Sequence, residues 1–584
     1  MNAPRWDLEA LFPGGLGGEA FANEAAGLEA RAEELVTRAE ALGAPADPEP
    51  WVQWMLEAQE LSTRTHTLST FVHCLASADT FDEAAERAAA RVGALWNRIS
   101  RAWVPVQDGI AFGDGEAIGA LIARPELEEM RPMLERSREQ AGLLLPRGEQ
   151  ALATELARDG IQAWGRVYDR LSGRLQIELG GETLSATQVM NLFGSTDAAL
   201  RTRAHEAWGQ AWEGVYDDCA RALTHITGTR QVLNDRRGVD ELADTLAANR
   251  LERASLDAML EASRRAGPML ERYLGVKARL LGVDQMGWED LAAPLPSKSS
   301  AQSWEEAEAF ILDNFGAYHP ELRAFAEGAF GGGWVEAEDR GGKRPGAWCA
   351  FAPTVGQSRV FLTFGGTFRS TVTLAHELGH AFHNHAIRDL PAFRRQVPST
   401  LAETASIFAE SLVRDAALRA ADDVASKRSM LDARLMAGVS FLMNIPVRYE
   451  FERRLYALRR EGPLQPDVLA GEMESLQRDW YRGALRSWDP SFWASKLHFY
   501  ISGRSFYNYP YTYGYLFAQL VYRRVLEGGQ EAHADYVELL RRTGWQQGEV
   551  LAQETLGLDL RDPEVWWQAI APLEADLEAL EGLV

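Results

Sequence analysis

Thr371-Val372-Thr373-Leu374-Ala375-His376-Glu377-Leu378-Gly379-His380-Ala381-Phe382-His383 decides how the 584-residue chain is read. It contains H-E-x-x-H. On a helix, positions i and i+4 share a face, so His376 and His380 can both turn an imidazole nitrogen towards one zinc ion. Glu377 stands beside them, where its carboxylate can take a proton from a water held at the metal. Around these three, Leu374, Ala375, Leu378, Ala381, Phe382, Ala386 and Ile387 leave little polar face. A helix apolar nearly all round is a buried helix, and burying two imidazoles and a carboxylate without partners is costly. A metal ion would supply the partner. The competing reading, a surface helix that carries two histidines by chance, leaves the apolar residues unexplained.

A catalytic zinc site needs a third protein ligand and an open fourth position. The metzincin continuation requires Gly at 383 and His at 386, but the chain has His383 and Ala386, so that class is excluded. Between 386 and 410 the only carboxylates are Asp389, Glu403 and Glu410. Asp389 precedes Pro391 in a loop too close in sequence for an easy return to the metal. Glu403 opens a second helix in Leu401-Ala402-Glu403-Thr404-Ala405-Ser406-Ile407-Phe408-Ala409-Glu410 and is the expected third ligand. Its competing role is the capping box Thr400-x-x-Glu403, though Ser399 could cap instead. Glu410 lies two turns further on at almost the same azimuth. It is expected either to hold a ligand imidazole by its other N–H or to be a carboxylate at the core edge. His383 and His385 are expected to be structural or close neighbours of the site, not ligands.

Outward from this stretch the chain reads as helix. Residues 21–43 and 80–103 repeat apolar positions every three or four residues, and a long helical pattern opens after Ser195-Thr196-Asp197 and runs towards Asn234. Breaks such as Ala44-Pro45-Ala46-Asp47-Pro48 and Ser487-Trp488-Asp489-Pro490 read as helix connections. Between Gly328 and Gly366 the pattern changes. Glycine becomes dense, and Ala347-Trp348-Cys349-Ala350-Phe351 and Arg359-Val360-Phe361-Leu362-Thr363-Phe364 have strand character, which predicts a small antiparallel sheet just upstream of the H-E-x-x-H helix. No G-x-G-x-x-G or P-loop pattern accompanies those glycines.

Composition narrows the class. A net charge of −24 argues against nucleic acid and anionic membrane surfaces as partners. Cys74, Cys219 and Cys349 are odd in number and far apart, forming neither a disulfide framework nor a CxxC site, so a reducing compartment is expected. The N-terminus shows no signal-peptide pattern and no run of 18 apolar residues occurs, so a cytoplasmic protein without a membrane span is expected. Oligomeric state stays open.

A last feature lies between 498 and 517. Six tyrosines fall within 16 residues, at 500, 507, 509, 511, 513 and 515, behind His498. Alternating aromatics suit a strand or a core layer, yet Asn508, Pro510 and Gly514 make this a poor strand. Peptide hydrolysis develops a negative tetrahedral oxygen, and phenol or imidazole donors aimed at it are worth ~3 kcal/mol each.

These blocks resemble peptidase family M3, the zinc peptidases that include thimet oligopeptidase and oligoendopeptidase F, and most closely the oligoendopeptidase F branch. The resemblance rests on Phe364-Gly365-Gly366-Thr367 running into His376-Glu377-Leu378-Gly379-His380-Ala381-Phe382-His383, on Leu401 to Ser406 with Glu410, and on His498-Phe499-Tyr500 with the tyrosine cluster. It implies a mainly α, two-lobed enzyme with a deep channel for oligopeptides. Residues 1–190 would form an N-terminal helical lobe and 191–584 the catalytic region. It implies one zinc per chain held by His376, His380 and Glu403, with Glu377 as base and proton shuttle. His498 and the tyrosines, first Tyr509 and Tyr515 and then Tyr507, would steady the oxyanion. Asn508 and Thr512 stand where an ungapped alignment puts the family's donor tyrosines. The strand before the metal helix would pair with the extended substrate backbone.

The expected function is therefore zinc-dependent endopeptidase action on short peptides. Two other readings remain at this stage. One is a carboxypeptidase of the same helical type; the other is a peptide-binding protein with a degenerate motif.

Overall fold

The computed structural model describes residues 3–43, 45, 47–296 and 301–584. Ala44 and Ala46 of the first expected connection lie outside the described residues. The protein is mainly α-helical, with five short strands among the described residues. Its chain divides into two compact units, each assembled from three segments.

The first unit comprises Met1–Ala141, Ser299–Arg419 and Ala518–Gly557. Three long helices, Glu19–Ala41, Glu49–Ala78 and Glu83–Phe112, pack against one another. Leu28, Trp54, Leu61, Leu68, Leu95 and Ile99 are buried between them, as the three-and-four spacing of apolar residues requires. Asp82 starts the third helix by accepting the N–H groups of Ala84 and Ala85.

The glycine-rich segment of this unit builds a three-stranded sheet. Strands β1 (Gln176–Leu179) and β2 (Glu182–Ser185) form a hairpin in the second unit. Strands β3 (Val335–Glu336), β4 (Trp348–Ala352) and β5 (Gln357–Phe361) make the sheet in the order β3-β5-β4. The antiparallel pair β4–β5 is the expected one, with Cys349 opposite Val360; β3 adds a parallel neighbour, with Val335 opposite Val360. This arrangement corrects the expectation that the strand before the metal helix offers its edge to substrate. That strand is β5, paired on both sides, and the edge belongs to β4. Val360 and Leu362 donate their N–H groups to Trp334 and Glu336 on the β3 side. The peptide groups of Cys349, opposite Val360, therefore face away from β5 at the sheet's edge. Phe351, two residues on, confirms the facing: its carbonyl accepts the Thr70 hydroxyl at 2.6 Å.

The second unit comprises Gly142–Lys298, Ala420–Phe517 and Leu558–Val584. The pattern after Asp197 forms two helices, Ala198–Glu213 and Tyr216–Arg237, with Asp197 accepting the Leu200 N–H at the first cap. The continuous helical run Val424–Glu461 holds an 18-residue window of mean hydropathy 1.2, long and apolar enough to cross a membrane by composition alone. Leu435, Leu442, Val447 and Phe451 of that run are buried inside the unit, which is the setting of a core helix. A π-helical turn, Ser440–Asn444, lies in its middle.

Candidate metal centre and active site

Thr367 caps the helix Phe368–Ala386 by accepting the Ser370 N–H, and the Thr371 hydroxyl donates to the Gln302 side chain at 2.7 Å. Leu374, Ala375, Leu378, Ala381 and Phe382 are buried, so the helix is enclosed as its sequence requires. Its most constrained position is Gly379. A Cβ there would stand 2.4 Å from the Ala405 carbonyl oxygen and 2.6 Å from the Ser406 Cα. Only glycine lets the helix Thr404–Ala420 approach this closely, and the approach delivers Glu403 to the histidines.

The three expected ligands come together. His376 Nε2 is 3.2 Å and His380 Nε2 3.4 Å from Glu403 Oε2, and all three candidate ligand atoms lie within 4.8 Å of one another. Glu403 sits just before its helix, with Ser406 Oγ donating to the same carboxylate at 2.7 Å. His376 Nδ1 meets Glu410 Oε2 at 3.1 Å, and Arg414 Nε donates to Glu410 Oε1 at 2.6 Å. Glu410 thus takes the first of the two roles left open for it. It holds the far side of the His376 ring, which keeps Nε2 turned towards Glu403.

The electrostatics suit a cation. Burial disfavours charge on His376, but its hydrogen bonds to Glu403 and Glu410 outweigh that and raise it to about 10. Burial also acts against Glu403, and the two histidines overcome it, holding the carboxylate far below its usual range. Glu377 is 5% exposed, and Oε2 has no hydrogen-bond partner among the described residues. Burial raises its pKa, a shift only partly opposed by His380 and His376. Two imidazole nitrogens, one carboxylate and an unsatisfied second carboxylate make a donor set that fits zinc.

Beside these groups lies a cavity of about 470 Å³, lined by His376, Glu377, His380 and Glu403 together with Trp348 and Cys349 of β4 and Arg395. His383 also lines this cavity, but neither it nor His385 belongs to the cluster of candidate ligand atoms. His383 is buried, bonds Thr543 Oγ1 at 2.8 Å, and is pushed down to about 4 chiefly by burial. His385 packs on Phe325 and Phe382. Asp389 pairs with Arg541 at 2.6 Å.

In the second unit, His498 Nδ1 lies 2.7 Å from Asn508 Oδ1, and its ring meets Tyr507 at 5.1 Å and Tyr511 at 5.9 Å between centroids. His498 and Tyr507 are thus neighbours. Tyr509 is not with them: its hydroxyl donates to the Thr245 carbonyl at 3.1 Å and lies 3.2 Å from Asn249 Nδ2. Tyr515 stacks on Phe441 at 4.6 Å. The tyrosine that joins His498 and Tyr507 is Tyr511, which the sequence reading did not single out. Asn508 holds His498, and Thr512 donates to the Phe441 carbonyl at 2.5 Å.

The loop ahead of this cluster carries a titratable prop. Phe506 has φ +52°, and its N–H donates at 2.7 Å to Glu452 Oε1. Glu452 is raised to about 7 by burial, against the pull of that hydrogen bond and of Arg230. A carboxyl whose pKa is higher folded than unfolded retains its proton longer in the folded state. Stability therefore falls as pH climbs from the ordinary value of 4.5 to about 7, and levels off above that. Glu452→Gln keeps an acceptor for Phe506 and should stabilise the protein by about 3 kcal/mol at pH 8, with the gain gone at pH 4. Unfolding midpoints of both proteins at the two pH values check this; an equal difference at both would contradict it.

Family models match two parts of the chain: Peptidase family M3 over residues 312–571 and Oligopeptidase F over 114–176. The oligopeptidase PepF of Bacillus subtilis is 22% identical over 598 residues, spanning 99% of this chain and 87% of its own. A Chlamydophila abortus protein described as a peptidase has the same fold, with a TM-score of 0.87 at 19% identity over 100% of both chains. The oligoendopeptidase-F of Enterococcus faecium follows at 0.71 and 18%, spanning 96% of this chain and 99% of its own. A buried H-E-x-x-H helix crossed by a second helix that brings up a glutamate defines a helical metallopeptidase, and this is an enzyme of that class. The chain belongs to peptidase family M3.

Proposed function

We propose that the protein is a zinc-dependent endopeptidase that hydrolyses internal bonds of short oligopeptides. The observation that carries the proposal is the convergence of His376, His380 and Glu403 beside a buried Glu377 oxygen that lacks a partner. The oligopeptidase names of its relatives support the substrate class. His376, His380 and Glu403 would hold the zinc, which when bound would polarise the scissile carbonyl and make a water acidic near neutral pH. Glu377 takes the proton of the attacking water and returns it to the leaving amine; its burial makes the protonated form accessible between the two steps. Glu410 and Arg414 keep the His376 ring in place. The outward peptide groups of Cys349 on β4 pair with an extended substrate backbone. His498 with Tyr507, and Tyr511 beside them, donate to the developing oxyanion. Three free cysteines fit a reducing setting such as the cytoplasm.

A peptide blocked at both ends and internally quenched tests this. Mass spectrometry of the products should show an internal cut that stops when a chelator strips the metal and slows about tenfold or more in His498→Ala. Trimming from a free C-terminus alone would point to the carboxypeptidase reading and overturn the proposal.

A further inference from the structure

One wall of the cavity carries a cation that the proposed chemistry does not use. Arg395 closes the short 3-10 turn Ala392–Arg395 and lines the cavity with Glu377, Glu403 and the two histidines. Its neighbours in the turn are pinned. Phe393 is buried edge-on against Trp103 at 5.1 Å. Arg394 lies over the Trp545 ring at 4.9 Å and pairs with Glu129 at 3.2 Å. Gly544 admits the turn, since a Cβ there would stand 1.9 Å from the Arg394 carbonyl oxygen. The backbone that presents Arg395 is thus held on several sides before any ligand arrives.

The guanidinium itself is lightly engaged. One nitrogen donates to Thr63 Oγ1 at 3.2 Å, and the group lies 5.6 Å from the Phe351 ring centroid. Among the described residues no carboxylate pairs with it, although most arginines of this chain are paired and acidic residues outnumber basic ones by 84 to 60. Burial lowers its pKa, and no neighbouring acid offsets that. Glu403, in the same cavity, is already engaged by both histidines and Ser406. A half-buried guanidinium with five donors and one acceptor is short of partners, and a carboxylate is the group its planar fork matches best.

We propose that Arg395 is a specificity-determining residue that binds a carboxylate of the peptide, supplied by an acidic side chain or by the C-terminus. The inference rests on the peptidase reading and names the class of peptide favoured at that cavity. It also revises what net charge suggests. A chain of −24 should repel acidic peptides at long range, whereas the cavity beside the candidate metal centre holds an unclaimed positive charge.

The test uses the zinc-loaded enzyme and two sets of matched peptides. In one set Glu replaces Gln at each position in turn, with both ends blocked. In the other the C-terminus is a free acid or an amide. The wild-type protein is expected to favour the carboxylate form in one set by about tenfold or more in kcat/KM. Arg395→Met should bring that ratio to about one, and Arg395→Lys should restore part of it. Loss of preference in the Glu/Gln set assigns the side chain, and loss in the acid/amide set assigns the terminus. Equal ratios in wild type and Arg395→Met across both sets would overturn the proposal. Binding of the same peptides to Glu377→Gln, with and without Arg395→Met, reads the recognition without turnover. A peptidase failure then shows as absent cleavage, and a failure of this inference as affinity indifferent to Arg395.

Discussion

Glu377→Gln is expected to lower kcat on oligopeptides by about 10³-fold while leaving zinc content and peptide affinity nearly unchanged, the loss being that of a positioned general base. Glutamine has the volume of glutamate and can sit in the same buried position, so the substitution removes the proton acceptor without opening a cavity. The wild-type carboxylate has an unsatisfied oxygen in a 5% exposed residue, a strained arrangement unless that oxygen meets a water or substrate proton. Removing the charge should also relieve burial, so the variant is expected to unfold at the same temperature or higher. Steady-state kinetics, metal analysis and a melting curve decide the matter together. A variant that keeps its zinc and retains full activity would mean that Glu377 is not the base.

Gly379→Ala is expected to abolish tight metal binding and to reduce activity by about 100-fold or more, the effect of a misplacement of about 1 Å at a reacting centre. The three nearest atoms to the added methyl, at 2.4, 2.6 and 2.9 Å, are all backbone atoms of Ala405 and Ser406. None can rotate away, so the two helices must part. Glu403 rides on the displaced segment, two residues ahead of Ala405, and its contacts to the histidines would lengthen from 3.2 and 3.4 Å. The expected loss of stability is about 1–3 kcal/mol, as for other overpacked sites. A Gly379→Ala protein with wild-type zinc affinity would show that the close crossing is not what assembles the site.

Much of the candidate metal centre is legible because it is written in helical periodicity. Positions 376 and 380 share a face on any helix, and with Asp389 in a loop the nearby carboxylates able to join them are Glu403 and Glu410. Glu410 was legible only as a position, since nothing local says which imidazole nitrogen it meets. The tyrosines show where such reasoning fails. Their alternation invites a period of two, but Pro510 stands in the first turn of the helix Tyr509–Gly528. At about 100° per residue, Tyr511 and Tyr515 fall towards one side and Tyr509 and Tyr513 towards the other. Tyr509 and Tyr513 are each 1% exposed, while Tyr511 is 38% exposed. The proline was the signal that would have replaced Tyr509 by Tyr511. Strand β3, two residues long, had no pattern to read, and its presence turns β5 from an edge into a centre. Arg395 was equally silent, because its meaning lies in the carboxylate that is missing around it. The three-segment make-up of each unit depends on contacts hundreds of residues apart and leaves no local signature.

We propose that one zinc ion, held by His376, His380 and Glu403, makes this protein a peptidase. Metal-stripped protein titrated with zinc, with cleavage of a blocked peptide followed at each addition, tests it most directly. Activity is predicted to rise from near zero and to break at one equivalent per chain in the wild type, and to stay near zero in His380→Ala. Full activity in the metal-free protein, or an unchanged titration in His380→Ala, would contradict the account.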